Sequence, residues 1–98
     1  MKSITIIATF QAKPGQEAVL KTALAALLPP TRRESGCLLY NLHVAPDDPA
    51  RFLFYENWAS QPHLDAHLKS PHLTALLNRV EELCAAAPQI QLWQRVGE

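Results

Sequence analysis

The chain has 98 residues, 48% of them hydrophobic and 18% charged, which fits one domain and is too apolar for a disordered tail. Nine basic residues balance nine acidic ones, and no basic run exceeds Arg32-Arg33, so no nucleic-acid partner is expected. No apolar run approaches the ~20 residues of a membrane span, and Met1-Lys2-Ser3-Ile4 leads into an alternating apolar segment and not a signal peptide. The expectations are a cytoplasmic location and no membrane partner. Cys37 and Cys84 have no nearby CxxC partner and read as buried thiols.

In chain order, Ser3 to Ala12 reads as a strand rich in β-branched and aromatic residues. After the Pro14-Gly15 turn, Gln16 to Leu28 carries Ala18, Leu20, Leu24, Leu27 and Leu28 near helical spacing. Pro29-Pro30 should end or kink that helix, because proline removes a donor and clashes with the preceding turn. A short helical piece over Thr31 to Glu34 is expected, read as a solvated end. Gly36 releases the chain into a second strand, Cys37 to Ala45. Pro46-Asp47-Asp48-Pro49 is a turn, and Arg51 to Trp58 completes a hairpin. Ser60 is placed to cap the next helix, which breaks at Ser70-Pro71-His72. Leu73, Leu76, Leu77, Val80, Leu83 and Cys84 then form an apolar helical stripe. Pro88 ends it, and Gln89 to Val96 is the last strand.

This order makes one α+β domain over 1–98, a βαββαβ ferredoxin-like arrangement with a four-stranded antiparallel sheet and its helices on one face. Alternation puts Phe52, Phe54, Glu56 and Trp58 on one side of the third strand and Leu53, Tyr55 and Asn57 on the other. The second strand divides into Leu38, Tyr40 and Leu42 against Cys37 and Leu39. Both faces are apolar, yet helices cover only one. The helix-free face therefore predicts a homodimer, with a second copy as its cover.

Chemistry-bearing residues gather between Phe54 and Leu73. Glu56 on the helix side needs a hydrogen-bond or charge partner. Trp58 carries an indole N–H that wants one as well. His67 and His72 flank the Ser70-Pro71 break and can exchange protons near neutral pH. Each also suits a structural role: Trp58 and Tyr40 as core aromatics, Glu56 as an anchor, the histidines as packing or capping residues. His63 and His67 stand at i, i+4, but no acidic companion or further cluster completes a metal site, and none is expected.

The pattern Glu56-x-Trp58, then Ala66-His67-Leu68, then Ser70-Pro71-His72 resembles the antibiotic biosynthesis monooxygenase family. Lys13-Pro14-Gly15-Gln16-Glu17 and Glu34-Ser35-Gly36-Cys37-Leu38-Leu39-Tyr40 extend the likeness over nearly the whole chain. The resemblance implies a dimeric α+β barrel, sheet against sheet. It also implies Trp58 lining a cavity between sheet and helices. Haem-degrading relatives carry an asparagine in strand one and a histidine in the second helix, where this chain has Ala8 and Leu77. Polyketide oxygenases place an asparagine where Phe54 stands. The segment from Glu56 to His72 looks most similar to the quinol-oxidising branch, and its run from Ala66 to His72 also resembles the signal-processing isomerase branch; the first resemblance implies a cofactor-independent monooxygenase acting on a quinol or phenolic small molecule and molecular oxygen. His67, His72 and Glu56 are then the catalytic candidates, with Trp58, Phe54, Phe52 and Tyr40 binding substrate. The alternatives are an acid–base isomerase of a small metabolite and a non-catalytic small-ligand-binding dimer.

Overall fold

The computed structural model describes residues 3–97. Strands β1 (Ile4–Gln11), β2 (Cys37–Ala45), β3 (Asp48–Trp58) and β4 (Gln89–Trp93) form one sheet in the order β2-β3-β1-β4, each neighbouring pair antiparallel. Between the strands lie helices α1 (Glu17–Ala25), α2 (Leu28–Arg32), α3 (Gln61–Leu68), α4 (Pro71–Leu77) and α5 (Val80–Leu83). This is the ferredoxin-like α+β arrangement. None of the described helices is long and apolar enough to cross a membrane.

Alternation is the device that builds the core. Ile4, Ile6, Ala8 and Phe10 of β1 are buried, and so are Phe52, Phe54, Glu56 and Trp58 of β3. Cross-strand pairing of Ile6 with Glu56 and of Ala8 with Phe54 puts these two rows on one face. Leu20 and Leu24 of α1, Leu64 of α3, and Leu73 and Leu76 of α4 belong to the same cluster.

Local chemistry sets several boundaries differently from the sequence pattern. Pro29 and Pro30 do not end a helix. They occupy the first turn of α2, where a missing N–H costs nothing, and α1 ends earlier, at Ala25. The Asp48 carboxylate accepts from the Ala50 amide at 2.9 Å, so the hairpin turn tightens and β3 begins at Asp48 instead of Arg51. The apolar stripe after Pro71 is broken into α4 and α5. Cys84 leaves the helix to bridge Ala12, and Lys13 N–H to Leu83 carbonyl (2.9 Å) and Ala85 N–H to Gln11 carbonyl (2.8 Å) replace the next helical turn. A register shift in β2 falls between Cys37 and Leu39. Cys37 therefore lies opposite Trp58 on the helix side, Leu39 lies opposite Asn57 on the other side, and Leu38 is the extra, exposed residue.

The sheet's helix-free face bounds a groove of about 1130 Å³, with Ile7, Leu39, Leu53 and Tyr55 among its lining.

Candidate active site

The site lies where β3 ends and α3 begins. Ser60 adopts an extended conformation and its hydroxyl accepts from the His63 amide, which turns the chain directly from Trp58 into α3. Ser70 does the same for α4 by accepting from the Leu73 amide, with Pro71 in the first turn. Two short helices thus bring His67 and His72 to the same end of β3.

Trp58 is fully buried, and its Nε1–H donates to Glu56 Oε1 at 2.9 Å. Each of these two residues therefore supplies the partner that the other needs. The His67 ring stacks on the Trp58 indole at 4.6 Å with 27° between planes. Tyr40 meets His67 edge-on at 5.5 Å and Trp58 edge-on at 6.5 Å, and stacks on Phe54 at 4.7 Å. Tyr40, Phe54, Glu56, Trp58 and His67 form one continuous cluster. Phe52 stands on the same face, two residues farther along β3. All six are at least 96% buried, so packed side chains fill the place beside Trp58 where a cavity was expected.

Glu34 joins them. Its Oε2 lies 2.8 Å from His67 Nδ1 and 2.7 Å from His72 Nε2. A carboxylate only accepts, so both imidazole nitrogens donate. Glu34 was expected to be a solvated helix end. It is instead the partly buried acceptor at the centre of the site. His63 takes no part. Its Nδ1 lies 2.7 Å from Ser60 Oγ and its ring packs over Gly36. Among the described residues, the three groups close enough to share a cation are Glu34, His67 and His72, and not the i, i+4 pair.

The environment sorts these groups by protonation. Burial pushes the Glu56 carboxyl up to about 7; the Trp58 N–H opposes this and the Glu34 charge adds to it. Burial lowers His67 below the ordinary 6.5, against the pull of Glu34, so the imidazole is neutral at pH 7. Burial, with the Glu56 charge behind it, raises the Tyr40 phenol far beyond the ordinary tyrosine range and keeps it protonated. The Cys37 thiol is raised by burial and by Glu34, which makes it a poor nucleophile. The Thr31 hydroxyl is fully buried near the Tyr40 phenol without a hydrogen bond of good geometry. The site therefore sets an imidazole whose pKa burial lowers and a carboxyl raised to about 7 against an aromatic wall, two groups able to exchange a proton near neutral pH.

A four-stranded antiparallel sheet with this order of strands and helices places the chain among small ferredoxin-like α+β proteins. Residues 3–79 match the antibiotic biosynthesis monooxygenase family, and the chain belongs to it. It is 36% identical over 80 residues to "Putative monooxygenase Rv0793" of Mycobacterium tuberculosis, covering 82% of this chain and 78% of that protein. It is 34% identical over 92 residues to "Probable quinol monooxygenase YgiN" of Escherichia coli, covering 80% of this chain and 85% of the relative. The crystal structure of PA3566 from Pseudomonas aeruginosa superposes with a TM-score of 0.93 at 32% identity, covering 99% of this chain and 97% of that one.

Proposed function

We propose that the chain is a cofactor-independent monooxygenase that oxidises a quinol or phenolic small molecule, with His67 as general base. The observation that supports this best is the placing of the His67 imidazole, stacked on Trp58 and held through Nδ1 by Glu34, with burial lowering its pKa. Its Nε2 lone pair is left for a substrate hydroxyl. Once deprotonated, an electron-rich ring can reduce oxygen directly. A quinol plus O₂ gives a hydroxyquinone plus water: one oxygen atom bonds to ring carbon, the other leaves as water, and the quinol itself supplies the reducing electrons. The protein then has to bind, orient and deprotonate. Glu56, poised near neutrality, is the second proton carrier. Trp58, Phe54, Phe52 and Tyr40 form the apolar wall. Because this wall is closed to solvent, substrate binding must displace side chains on the helix side. A second copy of the chain covers the helix-free groove in this reading and completes a dimeric barrel.

The acid–base pair would serve an isomerase as well, and oxygen consumption separates the two. Purified protein should consume oxygen with a hydroquinone, and His67→Ala should slow this by about 10²–10⁴-fold, as loss of a placed general base does. The dimer should survive the substitution. No oxygen uptake with any quinol or phenol would overturn the monooxygenase reading. Full turnover by His67→Ala would move the base to His72 or Glu56.

A further inference from the structure

Glu34 sits between α2 and β2, His67 on α3 and His72 on α4, so three separate segments converge on one carboxylate oxygen. Both nitrogens approach the same Oε2, at 2.8 and 2.7 Å. That is the range of an N–H donor on a carboxylate, about 2.7–2.9 Å. The cluster is a hydrogen-bonded triad.

We propose that Glu34 is a positioning residue for His67. By accepting from Nδ1 it fixes the Nδ1–H tautomer and leaves the Nε2 lone pair on the opposite side of the ring, turned away from Glu34. His72 donates to the same oxygen and holds it in place from the more exposed side: its side chain is 21% accessible, against 3% for His67. This rests on His67 being the base. In the step itself a substrate O–H bond breaks, an N–H bond forms at Nε2, and the electron pair stays on the substrate oxygen. The positive charge that appears on His67 then lies against the Glu34 carboxylate, as the acid of a hydrolytic triad supports its histidine. Stacking on Trp58 fixes the ring plane, and Glu34 fixes its rotation within that plane.

The test uses the intact, ¹⁵N-labelled chain with Glu34→Gln and Glu34→Asp. Long-range ¹H–¹⁵N spectra should show His67 as the Nδ1–H tautomer in the wild type. That signature should be lost or mixed in Glu34→Gln, whose amide can donate as well as accept, and retained in Glu34→Asp. Oxygen uptake with a hydroquinone should show kcat reduced about 10²-fold or more in Glu34→Gln, with KM little changed and partial recovery in Glu34→Asp. An Nε2–H tautomer in the wild type, or an unaltered tautomer in Glu34→Gln, would overturn the proposal. A stoichiometric transition metal bound to the purified protein would do so too. The spectra need no substrate, so they decide the role of Glu34 even where quinol turnover fails, and that failure would count against the monooxygenase reading alone.

Discussion

Replacing Glu56 by glutamine should change how stability depends on pH more than it changes stability itself. Glu56 is 4% exposed, and its carboxyl titrates near 7 instead of 4.5 because burial disfavours the charge. The folded protein thus holds this proton more tightly than the unfolded chain does. Its contribution is complete below pH 4.5 and is lost as pH rises to about 7. At about 1.4 kcal/mol per pH unit, the swing is on the order of 3 kcal/mol, a large share of the ~5–15 kcal/mol typical of a domain. His67 works in the other direction. Its pKa lies below 6.5, so the folded state loses stability as pH falls below that value. The raw wild-type profile therefore mixes two opposed slopes, and only the difference between wild type and Glu56→Gln isolates the carboxyl. Glutamine keeps an acceptor for the Trp58 N–H but buries an NH₂ group with no assigned partner, which costs about 1–3 kcal/mol at every pH. Urea unfolding of both proteins from pH 4.5 to 8 should show the wild-type advantage shrinking by on the order of 3 kcal/mol. Parallel profiles would refute the burial-driven displacement of Glu56 and remove it as a proton carrier at neutral pH.

Trp58→Phe deletes the N–H that holds the Glu56 carboxyl down, so this group should titrate higher still, visible in carboxyl ¹³C shifts; quinol KM should rise more than kcat falls. Gly36→Ala should destabilise by at least about 1–2 kcal/mol in thermal unfolding, because φ is +80° there and a Cβ would fall 2.2 Å from the His63 ring. Leu53→Glu places a charge in the helix-free groove and should shift a dimer toward monomer in light scattering; a wild type already monomeric at micromolar concentration would remove the reason for the second copy.

Element order, sheet faces and the β3–α3 junction were legible because they rest on alternation and on strong punctuation. Phe52, Phe54, Glu56 and Trp58 alternate without interruption, and Ser60 and Ser70 cap the helices that follow. Alternation groups Cys37 with Leu39, but a bulge between them shifts parity by one and puts them on opposite faces, and no residue type announces it. Pro29-Pro30 was read as a helix end because proline is as favourable at the start of a helix as it is hostile inside one. Glu34 escaped notice because its neighbours Arg32 and Arg33 suggest an exposed run, while its partners lie 33 and 38 residues away. Tertiary pairing of this kind leaves no periodic trace.

The position of β1 in the sheet bears on how the chain reaches its fold. The first strand made is an interior one, flanked by β3 and by β4, the last. Ile4 waits for Trp58 and Thr5 for Trp93, whereas β2 and β3 meet across a short turn. Closing long loops costs entropy before any pairing returns it. The hairpin should therefore form early, while β1 stays an unpaired strand until β3 has been made. During that interval Ile4, Ile6 and Phe10 are the residues most in need of protection from other chains.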